Sequence, residues 1–365
     1  MGFSTLKYSR SKVNKAGKTL VGLLSSDVGK KTEDREFLRA LSILNNWRSC
    51  HGYPINTFQA TLRTKLKSID PKALVAQRLK RLPSIVLKLK RFKNMQLARM
   101  QDIGGLRAVV STLKKVRQLE LNYKKAPFNH ELCGYYDYIE NPKSSGYRSI
   151  HLVYKYRNLR VPEYNGLYIE IQIRTKLQHA WATAVETIGT YLNHSLKSSE
   201  GPEEWLRFFA LVGSAFSYLE KTPPVPGYEG LSKEKTFKAV IEKTAELGVK
   251  DKLQAFSVAT QHIKTDNKKG SYHLIVLDFE KRRVRIYNYS KENLKEANKT
   301  YGKIEREISK GKHLQTVLVS TGSIQSLRQA YPNYFLDTQE FVKQLDRIEV
   351  AAKKLNQVPS KKQRT

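Results

Sequence analysis

Cysteine is almost missing from these 365 residues: only Cys50 and Cys133 occur. Two thiols cannot build a disulfide framework or a cysteine-based zinc site, so both read as unpaired thiols in a reducing compartment. No apolar run approaches the roughly 20 residues of a spanning helix. The basic start, Met1 to Lys18, lacks the hydrophobic stretch and cleavage site of a signal peptide. A cytoplasmic protein with no membrane partner is the expectation. Acid is scarce as well, with 33 Asp and Glu against 66 Lys and Arg, a net charge of +33. That imbalance exceeds what solubility needs and implies a polyanionic partner, nucleic acid or nucleotide first and a membrane surface second. With 40% apolar residues, a chain of this length holds about two domains with real cores.

What is present is organised around Leu167 to Thr175. Strict alternation there reads as a β-strand that buries Ile169, Ile171 and Ile173 and presents Glu170, Gln172 and Arg174 on the other face. A carboxylate, an amide and a guanidinium in a row suit a site for magnesium and phosphate oxygens. Taken alone, the same pattern also suits a strand with one wet face.

The first 30 residues, rich in Ser, Gly and Lys, read as a basic flexible arm without structure. Helices are expected from Glu33 to His51 and from Thr57 to Lys67. Asp70-Pro71 reads as the start of a third, and Ser84 as the cap of a fourth. Between Arg78 and Arg99 stand Arg78, Lys80, Arg81, Lys88, Lys90, Arg91, Lys93 and Arg99, with no acid. This run leads into Asp102-Ile103-Gly104-Gly105-Leu106-Arg107, a short apolar strand preceded by an acid and two glycines. On an unbroken strand Asp102 and Arg107 would face opposite ways. Either the glycines shift the pleat or Asp102 lies before the strand.

After a helix near 111–123 comes a loop with Tyr135, Tyr136, Tyr138 and Tyr147, which reads either as a stacking surface or as buried anchors. The strand Ser149 to Tyr156 follows, then the 167–175 strand and a helix through Leu192 that carries His179. Three prolines in Thr222 to Gly227 mark the domain boundary. Beyond it the pattern gives a helix near 233–247, a hairpin over 272–289, a helix over 291–308, a strand over 315–320 and helices from Ser323 and Thr338. The fold class expected is α+β, a mixed β-sheet with flanking helices over residues 31–221, a Pro-rich linker over 222–227, and a smaller α+β domain over 228–365.

Asp102-Ile103-x-Gly105-x-Arg107, Gly146-Tyr147-Arg148-Ser149-Ile150-His151 and Glu170-Ile171-Gln172-Ile173-Arg174-Thr175 with His179-Ala180-Trp181-Ala182 together resemble the RelA/SpoT alarmone synthetase domain. The resemblance covers roughly Thr32 to Glu220. It implies transfer of the β,γ-pyrophosphate of ATP to an acceptor hydroxyl with release of AMP. No His-Asp dipeptide occurs, so the hydrolase domain of the long members is not expected. By resemblance Asp102 and Glu170 are the catalytic magnesium-site carboxylates. Arg78 and Arg107 sandwich adenine, and Lys80, Lys88 and Arg174 contact ATP phosphates. Tyr147 stacks on the acceptor base, with His151 and Gln172 beside the acceptor. Phosphoryl chemistry of this kind needs charge neutralisation and in-line positioning more than covalent help, which a field of Lys and Arg supplies.

The segment after Pro226, with Tyr331-Pro332-Asn333-Tyr334, resembles CapRel-type fused toxin–antitoxin proteins. That resemblance implies a C-terminal pseudo-zinc-finger domain that restrains the synthetase until a phage capsid protein binds, with the tRNA 3′ CCA end as acceptor. Lys90, Arg91 and Lys93 would then meet tRNA, and Tyr331 and Tyr334 would cover the adenine side. The +33 charge fits a tRNA, which rewards a broad basic surface through counterion release. The alternatives are an alarmone synthetase acting on guanosine or adenosine nucleotides, and a non-catalytic RNA-binding or partner-sensing module.

Overall fold

The computed structural model describes residues 3–24, 35–125, 128–192 and, with short interruptions, 194–357. The N-terminal segment departs from the expected unstructured arm. Arg10–Leu23 forms helix α1, because Val13, Ala16, Gly17 and Leu20 recur at helical spacing and are buried, and Ser9 caps the first turn. Lysines between those positions carry the charge that marks the segment as polar in sequence. Helices α2 (Arg35–Cys50) and α3 (Gly52–Ile69) follow. Pro54 falls in the first turn of α3, where a missing N–H costs nothing.

Asp70-Pro71 does not start a helix. Residues Leu74–Leu79 form strand β1, and Asp70 instead accepts the Ser111 N–H at 2.7 Å and pairs with Lys115 at 3.1 Å. Its carboxylate is used as a cap, but for a turn 41 residues away. Then come α4 (Leu82–Arg91), β2 (Gly104–Val110), α5 (Leu113–Lys125), β3 (Glu131–Asp137), β4 (Ile150–Lys155), β5 (Tyr168–Thr175), α6 (Lys176–Tyr191) and α7 (Glu203–Glu220). The remainder supplies α8 (Lys233–Glu246), α9 (Val249–Ala259), β6 (His262–Thr265), β7 (Tyr272–Asp278), β8 (Arg283–Tyr289), α10 (Leu294–Ser309), β9 (Leu314–Val319) and α11 (Gln339–Gln357).

Nine strands join in one mixed sheet, in the order β3-β4-β5-β2-β1-β9-β7-β8-β6. Pairing is antiparallel for β1 with β2, β1 with β9, and β7 with both β8 and β9, and parallel for β6 with β8. The expected α+β class with a mixed sheet and flanking helices is what the chain adopts.

Two compact units result, and each draws on separated segments. The first comprises Met1–Tyr136, His151–Ile173 and Thr260–Tyr334; the second comprises Asp137–Ile150, Arg174–Ala259 and Phe335–Thr365. They cut across the expected boundary at 222–227 for a physical reason. β9 pairs with β1 at Arg78↔Val319, so the strands after residue 260 continue the first unit's sheet. Within that unit α10 packs Ala297 and Tyr301 against Leu274, Val276 and Leu318 of β7 and β9. In the second unit α6, α7, α8 and α11 share a core that includes Trp181, Trp205, Phe208, Phe209, Phe237 and Phe341. Full burial of each such ring contributes about 1.5–3 kcal/mol.

The Pro-rich stretch is also pinned rather than a free spacer. The Pro223 carbonyl accepts from Arg148 Nη2 at 2.6 Å, and Val225 is fully buried.

Candidate active site

β1 and β2 run antiparallel with Arg78 opposite Gly105 and Ala76 opposite Arg107. Arg78 and Arg107 therefore share one face of the sheet as diagonal neighbours, a spacing of roughly 7–8 Å between backbones. That is the arrangement an aromatic base needs to lie between two guanidinium planes. β2 begins at Gly104, so Asp102 lies in the turn before the strand. This removes the conflict between the facing of Asp102 and of Arg107 that an unbroken strand would create.

Asp102 is held by two lysines, Lys80 Nζ at 2.6 Å and Lys88 Nζ at 2.9 Å. Lys80 comes from the end of β1, where its N–H donates to the Ile103 carbonyl at 2.8 Å. Lys88 comes from α4. Burial pushes the Asp102 carboxyl up, but the two ammonium charges and their hydrogen bonds outweigh it and hold the group well below the usual carboxylate range. Burial lowers the Lys80 ammonium, and its attraction to Asp102 only partly offsets this.

On β5 the predicted alternation holds at its centre: Ile169, Ile171 and Ile173 are fully buried, and Glu170 and Gln172 occupy the opposite face. His151 Nδ1 lies 2.8 Å from Glu170 Oε1, and Gln172 Nε2 donates to Glu170 Oε2 at 2.8 Å. Burial raises Glu170, the charge and hydrogen bond of His151 lower it more, and the net result is a carboxyl held well below its ordinary value. Asp102 acts on Glu170 in the opposite sense, by like-charge repulsion. The two carboxylates therefore lie in mutual electrostatic reach.

Arg174 departs from the expected pattern. It is 1% exposed, and its Nη2 donates to His179 Nδ1 within the second unit. As a phosphate contact it would first have to leave that burial. His179 is accordingly a packing partner of Arg174. Tyr147, also in the second unit, is 4% exposed and packs edge-on against Trp181 and Tyr138 at centroid distances of 6.3 and 6.1 Å. It is a core ring in this structure, so stacking on a base requires its uncovering. Gly146 beside it has φ +92°, and a Cβ there would stand 2.9 Å from the Phe209 carbonyl oxygen. That contact gives the Gly-Tyr-Arg stretch its physical reason.

Lys90, Arg91 and Lys93 are exposed at the end of α4. Sequence reasoning passed over Phe92 among them, which is 48% exposed with the Arg91 guanidinium 5.6 Å from its ring. The one aromatic inside a basic run was the available signal. Tyr331 is buried, and its hydroxyl donates to the Gln77 carbonyl on β1, the residue before Arg78. Tyr334 lies outside the described residues.

Residues 77–195 match the family model described as a region found in RelA / SpoT proteins. The site lies within the stretch that matches this model. Over 144 residues the chain is 32% identical to a GTP pyrophosphokinase of Escherichia coli (strain K12), covering 40% of this chain and 18% of that protein. Over 136 residues it is 34% identical to the GTP pyrophosphokinase YjbM of Bacillus subtilis (strain 168), covering 33% of this chain and 63% of that one. The chain thus spans only part of the curated relatives it matches. Among solved structures, the small alarmone synthetase 1 from Bacillus subtilis bound to its product pppGpp aligns with 29% identity and a TM-score of 0.39, covering 46% of this chain and 90% of that one. The end of β1, strands β2, β4 and β5, and with them Arg78, Lys80, Asp102, Arg107, His151 and Glu170, fall inside the matched stretch. The strands after residue 260 fall outside it.

Proposed function

We propose that this chain is a pyrophosphotransferase that moves the β,γ-pyrophosphate of ATP to a hydroxyl of the tRNA 3′ CCA end, and that its C-terminal segment restrains the reaction. One observation carries the chemical part: two carboxylates, one clamped by Lys80 and Lys88 and the other oriented by His151 and Gln172. In the reaction the acceptor hydroxyl oxygen attacks the β-phosphorus. The bond from that phosphorus to the α,β-bridging oxygen breaks, and AMP leaves with the electron pair. Glu170 takes the hydroxyl proton, and His151 and Gln172 hold its carboxylate in line. Lys80 and Lys88 meet the triphosphate charge, and Arg78 and Arg107 receive the adenine between them.

The donor set suits magnesium. Among the described residues no group of three or more His, Cys, Asp or Glu forms an all-protein metal cage. Two hard carboxylate ligands beside phosphate oxygens are the usual magnesium arrangement. Asp102 and Glu170 would hold the ion, which when bound neutralises charge on the phosphate oxygens.

The tRNA acceptor is supported by the net charge of +33 and by Lys90, Arg91 and Lys93 around the exposed Phe92, a basic surface with a stacking ring. The restraint is supported by the hydrogen bond from Tyr331 to the strand that carries Arg78. A phage capsid protein that binds the released form preferentially would shift the population to the open state. The second reading, a guanosine nucleotide as acceptor, is favoured by the names of the relatives. Incubation of the wild type and of Tyr331→Ala with labelled ATP and either tRNA, GDP, GTP or AMP separates the readings. Label on tRNA and not on nucleotides is expected. Label on GDP or GTP alone replaces the acceptor, and no AMP release with any acceptor overturns the enzyme reading.

A further inference from the structure

Helix α4 starts without a cap of its own. Arg81 at the N-cap position has no side-chain hydrogen bond to the first turn, and the following Leu82-Pro83-Ser84 puts the expected capping serine inside the helix. A first-turn N–H left in the interior without an acceptor would be costly. The acceptor is Glu305 on α10: its Oε1 receives the Leu82 N–H at 2.9 Å, in a position where a carboxylate also complements the helix dipole. Glu305 is 1% exposed and Arg48 of α2 is 2% exposed. Arg48 grips both Glu305 oxygens, with Nη1 at 2.8 Å from Oε1 and Nη2 on Oε2. The same Nη1 also donates to the Lys80 carbonyl at 3.2 Å, and the guanidinium lies 4.9 Å from the Tyr301 ring. The Lys80 backbone is therefore held on both sides, by Ile103 and by Arg48, while α4 carries Lys88 to Asp102.

We infer that Glu305 is a positioning residue for the donor site. Through Leu82 and through Arg48 it sets the two lysines that clamp Asp102, so a helix more than 200 residues away in sequence controls how that carboxylate is presented. Stability alone does not explain the pair, because a buried ion pair replaced by packed apolar side chains is commonly neutral or better. An apolar pair could not accept from Leu82 or donate to Lys80. Both charges sit on apolar helix stripes, Arg48 after Leu41 and Leu44, Glu305 after Ala297 and Tyr301.

The catalytic consequence rests on the pyrophosphotransferase reading; the positioning itself does not, and the test separates them. The full chain is compared with Arg48→Met/Glu305→Leu and with Glu305→Gln, the latter retaining volume and an oxygen for Leu82. Thermal unfolding, amine acylation at Lys80 and Lys88 read by mass spectrometry, and AMP release from ATP are measured on each. The expected result for the apolar pair is a folded protein with Tm lowered by a few degrees, because the Leu82 N–H and the Lys80 carbonyl lose a partner, and with acylation at Lys80 and Lys88 raised several-fold relative to other lysines. Turnover should fall by about tenfold or more, and Glu305→Gln should lie between. Unchanged acylation in a folded apolar-pair protein overturns the inference. If that variant does not fold, unchanged acylation and turnover in Glu305→Gln overturn it instead. Absence of AMP release from wild type with every acceptor removes the enzyme reading, while the acylation result still decides the latch.

Discussion

Replacing Asp102 by Asn tests the chemistry where its structural basis is best defined. The substitution keeps shape and removes one negative charge from between Lys80 and Lys88, whose side chains are 11% and 28% exposed. Exposed pairs are worth about 0–1 kcal/mol and broken buried pairs cost about 3–5 kcal/mol. A partly buried double pair lies between, so a loss of about 1–3 kcal/mol in stability is expected, a few degrees in Tm. The sign with pH follows from the depressed Asp102 value. Its contribution is complete above the ordinary carboxylate value of 3.8 and is lost as pH falls through the lower folded one. Urea unfolding of wild type and variant should therefore differ by a constant amount at pH 6–8 and converge below about pH 4. The triphosphate of ATP can replace the missing carboxylate against the freed lysines. ATP affinity should then hold or rise while turnover falls by at least about a hundredfold, the size of effect expected when a charge acting on the transition state is removed. A folded variant with near-normal turnover, or one whose turnover falls only in proportion to ATP affinity, refutes the reasoning.

His151→Ala removes the main partner that holds the Glu170 carboxyl low and leaves the Gln172 hydrogen bond against burial and the Asp102 charge, both of which raise it. The acid limb of the pH–rate profile should move to higher pH by a unit or more, on the order of 1.4 kcal/mol; an unmoved limb separates Glu170 from proton transfer. Gly146→Ala puts a methyl group at φ +92° and 2.9 Å from the Phe209 carbonyl oxygen, so unfolding should become easier by about 2–4 kcal/mol, read by chemical denaturation, and a loss below 0.5 kcal/mol would contradict the packing argument. Tyr331→Phe deletes only the hydroxyl that donates to Gln77. It should cost about 1 kcal/mol of stability and raise basal AMP release, with Tyr331→Ala raising it further and proving toxic on expression. Basal activity below that of wild type in a folded Tyr331→Phe protein would show that the contact supports the site rather than restrains it.

The strand at 168–175, the helices α6 and α7 and the β7–β8 hairpin were legible because their apolar spacing is regular and their neighbours are near in sequence. β1 was not, since Asp70-Pro71 is a sound helix start locally and only the distant Ser111 and Lys115 turn it to another use. Helix α1 was hidden by lysines that flank four buried positions. At the site, His151 lies 2.8 Å from Glu170, and Asp102 is within electrostatic reach of Glu170. Arg174 and Tyr147 do not stand open, because Trp181, Tyr138 and His179 cover them, and no pattern on their own strand or loop reveals that cover. Glu305 was missed because an ion pair is invisible until both helices are placed.

Without β9, β1 would be a sheet edge, with unpaired backbone groups beside Arg78. Here β9 takes that edge at Arg78↔Val319, Tyr331 bonds Gln77 on the same strand, and Glu305 holds the turn that follows it. Any release of residues 260–334 from β1 must break all three. At about 1 kcal/mol for a neutral hydrogen bond and 1.5–3 for one to a charged group, these three contacts are worth a few kcal/mol, and separating Glu305 from Arg48 adds the roughly 3–5 kcal/mol of a broken buried pair. A ligand needs about 5.5 kcal/mol of differential affinity to move a two-state balance from 1:99 to 99:1. If the C-terminal segment restrains the reaction as proposed, a partner must offset that whole sum through its preference for the released form. Such a release would disturb the donor site, because the contacts it breaks lie on either side of Arg78 and Lys80.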